Sequence, residues 1–472
     1  MKVAEPGNPA RRGWMDRQGL RLDAKPYLSG AFATQRLLER LPVEKVLLKE
    51  VTAGHAGGLY NGPMFKRVYL TDPDHSVPFV GSKDMLVADF SALPRLRKSD
   101  ALSRQLSYLK LGAGMTLISC SGFNAGRRSY VRPDMAGYWS SQDVLKVVPD
   151  QGKIQPGYLH AFLASRFGEA LVKGKVYGSA VKHIEPHHIE DLPVPRFGDV
   201  VEGEIHELVQ EAADLRTEFQ AGLEAATRDL FRTAGIEDLL DLRWHERGRD
   251  LGFVSPRLSA LSLRASNYGG RARELREALE SVPFRTLGDI CEGGELKRGN
   301  RILRVEVEPG QGIPFVGQLQ AFWARPEVRW IAQPENVDLT AADETIMVGA
   351  QGLPSESGLF GRAVLVTGDK WTQMGYTEHF LRVRSGDPEY SGAYLFALLR
   401  SEVSCRMFRS MMAGTGPQSI NPVLRDSFPV PVLTQPDRDR IAASVRAAHK
   451  KRDEADVKED LALAKLEEAV TG

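Results

Sequence analysis

The sequence predicts two copies of one mixed domain, α/β or α+β in class, each leading into a long amphipathic helix. Three observations carry that expectation. One is an internal repeat that brings Ile313 into register with Val77; another is the same order of short strands and helices in both copies; the third is an apolar seam at helical spacing after each proline-rich exit.

Val77-Pro78-Phe79-Val80-Gly81-Ser82 returns as Ile313-Pro314-Phe315-Val316-Gly317-Gln318, 236 positions on. In the same register Gln142–Val147 returns as Glu378–Val383, Tyr158–Leu163 as Tyr394–Leu399, and Leu192-Pro193-Val194-Pro195 as Phe428-Pro429-Val430-Pro431. Several patches in one phase point to duplication of a structural unit. Residues 1 to about 30 read as an irregular entrance, and its end, Leu22–Tyr27, recurs loosely as Leu263–Tyr268. Met115–Cys120 and Val144–Val148 are predicted strands, being short apolar runs bounded by Gly, Ser and Asn, and Gly157–Lys173 is predicted as a helix. Regular strand–helix alternation with a glycine fingerprint is missing, which argues against a doubly wound nucleotide-binding sheet.

The copies diverge where loops are expected. The offset falls to 229 between Thr116–Ser119 and Thr345–Val348 and recovers to 235 at Gly126-Arg127 against Gly361-Arg362. Copy two therefore carries a longer loop, Gly349–Gly358, and loops on a shared scaffold are where binding residues diverge.

After the first exit, Ile205, Leu208, Ala212, Leu215, Phe219 and Leu223 form an apolar stripe at spacings of three and four. Its counterpart runs through Ile441, Val445, Ala448, Ala455, Leu461, Leu463 and Leu466, with the charged run Lys450–Glu454 breaking the seam. Such a stripe must be covered. Antiparallel pairing of the two helices is the simplest cover; packing onto their own domains or onto a partner is the alternative.

Composition bounds the function loosely. The chain has 472 residues, 42% hydrophobic and 26% charged, enough for two or three globular cores. No apolar run reaches the roughly 18 residues of a membrane span, and the first residues lack a secretory core, which favours the cytoplasm. A net charge of +1 neither advertises nor excludes nucleic acid, since local basic clefts matter more than the total. Arg95, Arg97, Lys98 and Arg104, like Arg127, Arg128 and Arg132, read on composition alone as solvated surface.

Catalytic signatures are thin. Cys120, Cys291 and Cys405 are too scattered for a disulfide framework or a zinc site. His183, His187 and His188 are split by Pro186 and read as packing or surface groups, with nucleic-acid contact and metal binding as lesser readings. Asp289 with Glu295-Leu296-Lys297 has the outline of an acidic nuclease motif, but Cys291–Gly294 has weak strand character and copy one lacks the trio. No phosphate-binding Gly-Lys-Ser/Thr loop occurs. The expectation is a chain without catalytic residues, cofactor or metal.

The polar loops read instead as contact surfaces. In copy one the candidates for touching DNA are Lys83, Ser119, Ser121, Asn124, Arg127, Arg128, Gln142 and Lys182; in copy two they are Gln318, Gln320, Gln351, Arg362, Lys370, Gln373 and Gln418. Guanidinium forks can read guanine, side-chain amides can read adenine, and both lysine and arginine hold phosphates.

Together these features resemble the DNA-specificity subunit of type I restriction-modification systems. The likeness lies in Arg21–Tyr27, Val77–Asp84, Gly114–Ser119, Tyr177–Ile184 and the Leu192–Pro195 exit followed by a helix, in that order and performed twice. Departures are Arg264 where copy one has Asp23, and Gln318 where it has Ser82. The resemblance implies two target-recognition domains, at 1–200 with the entrance and at 236–433 with a linker. They would be separated by spacer helices at 201–235 and 434–472, paired as an antiparallel coiled coil. It further implies that each domain reads half of a bipartite double-stranded DNA target and that helix length sets the gap. The partners implied are two methyltransferase subunits, which would carry S-adenosylmethionine, and a restriction and translocase subunit, in an antiviral defence role. The alternative is a non-catalytic protein-interaction scaffold in another DNA-modification or defence complex.

Overall fold

A computed structural model describes residues 12–17, 27, 30–178, 182–241, 243, 262, 264–352, 358–416 and 418–472. Most of the repeated entrance, Ser179–Val181 and the 353–357 tip of the longer loop lie outside the described residues.

The first head is built from β1 (Leu59–Tyr60), β2 (Ser76–Val80), β3 (Arg95–Arg97), β4 (Thr116–Ser119), β5 (Arg128–Tyr130), β6 (Trp139–Ser140), β7 (Val144–Val147), α1 (Pro156–Ala164) and α2 (Arg166–Lys175), and runs into α3 (Asp199–Thr233). The second repeats the order: β8 (Glu295–Arg298), β9 (Ile313–Val316), β10 (Arg329–Ile331), β11 (Thr345–Gly349), β12 (Ala363–Val366), β13 (Gly375–Tyr376), β14 (Phe380–Arg384), α4 (Gly392–Leu399), α5 (Glu402–Ser410) and α6 (Gln435–Thr471). Each head has a four-stranded sheet, β1-β7-β4-β5 or β8-β14-β11-β12, and a three-stranded one, β3-β2-β6 or β10-β9-β13. The central strands are buried on both faces, which explains their unbroken apolar runs.

The single helix expected over Gly157–Lys173 is two. Ser165 adopts extended backbone and caps α2 by accepting from the Gly168 N–H at 3.3 Å. Ser401, its counterpart in the repeat, makes the same break and accepts from the Ser404 N–H at 3.2 Å. A serine with a side-chain cap competes with helix continuation, an effect that apolar spacing does not register. Cys291–Gly294 is a turn, as its weak strand character suggested; Glu295–Lys297 lies in β8 beyond it, and Asp289 sits on the preceding helical turn.

α3 and α6 lie antiparallel. Four ion pairs fix their register, Glu204–Lys465 at 2.6 Å, Glu211–Lys458 at 2.5 Å, Glu218–Lys451, and Asp229–Arg440 at 3.0 Å: one number rises as the other falls by the same amount. Exposed pairs of this kind specify alignment more than they stabilise. The apolar faces do the holding, and each is shared. Ile205, Val209 and Ala213 of α3 with Ala462, Leu466 and Val470 of α6 complete the first head's core. Phe219, Leu223 and Leu230 with Ile441, Val445 and Ala448 complete the second's. The helices are therefore paired with each other and packed on both heads at once.

The charged run Lys450–Glu454 does interrupt the apolar seam of α6, but the buried face continues through it: Arg452 is 2% exposed, stacks 4.3 Å over Trp371 and pairs with Asp453. One expectation for α6 is corrected: Leu461 is exposed, and Ala462 holds the seam in its place. The heads, expected to be held apart, also touch. Val87 and Trp323 form a bridge in which Ala88 N–H donates to Phe322 O at 2.9 Å and Ala324 N–H to Leu86 O at 2.8 Å. The bridge is symmetric because Val87 and Trp323 occupy the same position of the repeat.

Candidate nucleic-acid interface

In an antiparallel sheet the end of one strand lies beside the start of its neighbour. Residue pairs Ser119↔Val144 and Tyr60↔Lys146 therefore bring the loop after β4, the residues before β7 and the chain leaving β1 to one end of the first head. Gly349↔Phe380 and Arg298↔Leu381 do the same in the second. Each sheet end is closed by a long irregular arm, residues 61–75 or 299–312.

One arginine pins each arm. Arg67 lies 5.5 Å over Phe79 and donates to the Gln142 amide oxygen at 2.8 Å; Arg304 lies 5.1 Å over Phe315 and donates to Glu378 at 2.5 Å and the Thr377 hydroxyl at 3.0 Å. Phe79 and Phe315, like Gln142 and Glu378, are equivalent positions of the repeat. The arms leave Met64 and Leu303 86% and 88% exposed.

Around this common pin the chemistry differs. In the first head the Ser121 hydroxyl donates to Asp143 at 2.9 Å, Arg67 reaches Asp143 at 3.5 Å, and the Asn61 amide donates to Glu185 at 3.1 Å. Gly122 N–H donates to Lys182 O, which ties the His183 segment alongside. The second head is richer in arginine. Arg298 donates to Gln351 Oε1 and to Glu378 O, each at 2.9 Å, and Gln318 donates to Gln351 O at 3.0 Å. His379 hydrogen-bonds the same Gln351 side-chain oxygen as Arg298, and Gly352 bridges to Gln418. Burial lowers the His379 pKa; Glu378 opposes this, while Arg304, Arg298 and Arg301 add to it. Arg298, Arg301, Ile302, Leu303, Arg304, Gln351, Glu378 and His379 line an open groove of about 740 Å³. Three guanidinium groups, an amide and an imidazole in one groove can satisfy an anionic backbone and test hydrogen-bonding edges.

The sequence candidates divide. Ser121, Gln142 and Lys182 gather at the first sheet end, and Gln318, Gln351 and Gln418 at the second. Lys83 is exposed beyond β2, and Gln320 folds back so that its amide oxygen covers Gly317. Ser119 is fully buried in its strand. Of the others, all but Gln373 are held by partners within the fold. Asn124 is buried and accepts from Arg127 at 3.3 Å; Arg127 forks onto Glu327 at 2.7 and 2.5 Å; Arg128, 9% exposed, pairs with Glu169 at 2.7 Å. Arg362 pairs with Glu402 at 2.6 Å, Lys370 with Asp456 at 2.6 Å, and Gln373 ends a short helix facing solvent. The Arg127, Arg128, Arg132 group, read from composition as a solvated face, is ion-paired; Arg132 holds Asp134 at 2.7 Å.

Sequence reasoning missed Asn61, Arg67, Asp143, Arg298, Arg301, Arg304 and His379. A signal existed: Arg304 stands a single position out of phase with Arg67 in the repeat. The arms around them share no apolar pattern, so the pair looked isolated.

Among the described residues no group of three or more His, Cys, Asp or Glu side chains is placed to hold a metal, and no helix is long and apolar enough to cross a membrane. The chain is thus a duplicated, two-headed protein of mixed α/β fold, with a polar cluster at each sheet end. No family profile and no curated relative matches it. Among solved structures, the type I restriction-modification S subunit from M. genitalium aligns at 12% identity over 90% of this chain and 96% of that one, with a TM-score of 0.38. A chain from the structural work on complex assembly and conformational transition of the type I R-M system aligns at 14% identity over 92% and 98%, with a TM-score of 0.27. The HsdS subunit from Thermoanaerobacter tengcongensis aligns at 13% identity over 92% and 97%, with a TM-score of 0.26. At these scores none of the three assigns a role to this chain.

Proposed function

We propose that the chain is the DNA-specificity subunit of a type I restriction-modification complex. Residues 1–200 and 236–433 are its recognition domains, and the helices at 201–235 and 434–472 are its spacers. The observation that carries this reading is the equivalent pin with unequal surroundings. Arg67 on Gln142 and Arg304 on Glu378 occupy the same place in two copies, yet one cluster is mixed in charge and the other arginine-rich. Two like heads with unlike reading chemistry suit a target made of two different half-sequences.

In this reading, exposed cations such as Lys83 and Arg301 hold phosphates and set position. The Gln142, Asn61 and Ser121 group tests one set of base edges, and the Arg298, Gln351 and His379 group the other. Methyltransferase subunits, carrying S-adenosylmethionine, and a restriction subunit supply the chemistry. The test is sequencing of modified bases in cells with and without the gene. A methylated bipartite motif that depends on the gene supports the reading. An unchanged methylome, with the partners present, rejects it in favour of a protein scaffold.

A further inference from the structure

We infer that the head-to-head junction, and not helix length alone, sets the gap between the two half-sequences; the inference rests on the DNA-specificity reading. The gap in a bipartite target is a distance and an angle together. One base pair changes the separation by about 3.4 Å and the relative rotation by roughly 35°. An antiparallel pair of helices of 35 and 37 residues, each about 52–56 Å long, fixes the distance. The shared cores seat each head on its own end of the helix pair, but bending and twisting of the pair between those ends need a separate restraint, because long helices bend.

The junction supplies that restraint at the pseudo-two-fold point. The Val87–Trp323 bridge joins the heads through two backbone hydrogen bonds. Arg127 of the first head forks onto Glu327 of the second and stacks 4.9 Å over Trp323. Asp89 of the first accepts from Arg400 of the second at 2.7 Å. The same loops are bolted to the helices. Gln220 of α3 accepts from Phe90 N–H at 2.9 Å and donates to Asp89 at 3.3 Å, while Arg325 reaches Glu459 of α6 at 3.1 Å and also Asp460. Neither head can turn without breaking contacts both to its neighbour and to the spacer.

The ion pairs are also one-sided. Glu327 answers Ser91 in the repeat, Asp89 answers Arg325, and Arg362, which answers Arg127, pairs with Glu402 within its own head. Duplication alone would leave matching contacts on both sides of the axis. The charge pairs have instead diverged into complements, so they join a first head to a second head in one arrangement.

The test uses the full chain with Glu327→Arg, Arg127→Glu, and both together. Spin labels on Ser99→Cys and Glu335→Cys, two exposed positions on different heads, report the inter-head distance. The expected result is a narrow distribution in the parent, a broad one in Glu327→Arg, and narrowing again in the charge-swapped double variant. Modified-base sequencing of cells expressing each form should show one gap for the parent and the swap. Glu327→Arg should accept gaps one base pair longer or shorter, with both half-sequences unchanged. A distribution that does not broaden, or one that broadens with a single strict gap, overturns the inference. Loss of all gene-dependent methylation already in the parent overturns the DNA-specificity reading and the gap assignment with it, while the distances still decide whether the junction locks the heads.

Discussion

Arg400 of the second head closes two hydrogen bonds, at 3.0 and 2.7 Å, onto one carboxylate oxygen of Asp89 in the first. The same guanidinium donates to Leu223 O at 3.1 Å and to the Thr227 hydroxyl at 2.8 Å on α3, so one side chain joins both heads and the spacer. Burial alone would raise the Asp89 pKa; Arg400 and the hydrogen bonds from Ser91 override it and hold the carboxyl at about 2. A depressed carboxylate contributes stability that is complete above its unfolded value near 3.9 and is lost as pH falls through about 2. Asp89→Asn should therefore cost about 2 kcal/mol at pH 7, the scale of a partly shielded charge pair, and less at pH 3. Urea unfolding at the two pH values checks this, and an equal cost at both would reject the ionic account.

Gly222 of α3 lies against Ala448 of α6, where an added Cβ would stand 3.0 Å from the Ala448 Cβ. Alanine brings a helix-propensity gain of about 1 kcal/mol and a small clash, so Gly222→Ala should change stability by less than that amount. A leucine has no room. Gly222→Leu should cost roughly 1–3 kcal/mol by forcing the helices apart, read as a lower urea midpoint. If leucine is tolerated without loss, α3 and α6 do not pack at this register.

Much of this architecture was legible because it is written in apolar period. The central strands β4 and β7, their counterparts β11 and β14, and the seams of α3 and α6 are runs whose burial demands a spacing, and duplication wrote each demand twice. What escaped was set by side chains reaching across the fold. Ser165 breaks a helix through one capping bond, and Arg452 is buried because Trp371 offers it a ring. Arg127 looked like a free reader until Glu327, far along the chain, occupied it. The candidate site split for the same reason. Residues flanking strand ends, such as Gln142 and Gln351, were placed by the repeat, whereas Arg67 and Arg304 sit on arms whose course only the folded chain defines.

Arg67 and Arg304 give the sharpest functional prediction, because each pins one arm of one head. Arg304→Ala frees the arm carrying Leu303 and releases Glu378, while the first head keeps its Arg67–Gln142 contact. On the DNA-specificity reading, a released arm displaces one of the reading groups beside it, and losing one well-placed base contact costs roughly 1–3 kcal/mol, about 5- to 150-fold in affinity. The assembled complex should lose that discrimination in one half-sequence with Arg304→Ala and in the other with Arg67→Ala. Competition binding with targets mutated in one half at a time reads this directly. Loss spread evenly over both halves would mean that the pins support the fold and not the reading.

His449 gives a prediction independent of DNA. It sits on α6, 3% exposed, between the rings of Phe219 at 5.3 Å and Phe396 at 5.4 Å, with Nδ1 2.9 Å from Val445 O. Nδ1 is thus assigned the proton and donates, leaving a neutral ring among apolar groups. Burial, helped by the nearby Arg452 cation, pushes its pKa down to about 3. The unfolded chain takes up a proton near 6.5, so between about 6.5 and 3 it binds more protons than the folded one, and stability falls as pH drops through that window. Each pH unit there is worth about 1.4 kcal/mol, which makes the contribution of this one group roughly 2 kcal/mol between pH 7 and pH 5. His449→Gln keeps an N–H donor and cannot titrate, so its stability should fall less over the same range by about that amount. His160, held near 4 by burial, is common to both proteins and cancels. Urea unfolding of the two at pH 7 and pH 5 is the measurement; parallel losses would show that His449 is protonated as readily in the fold as in water, and that the spacer's centre is wet.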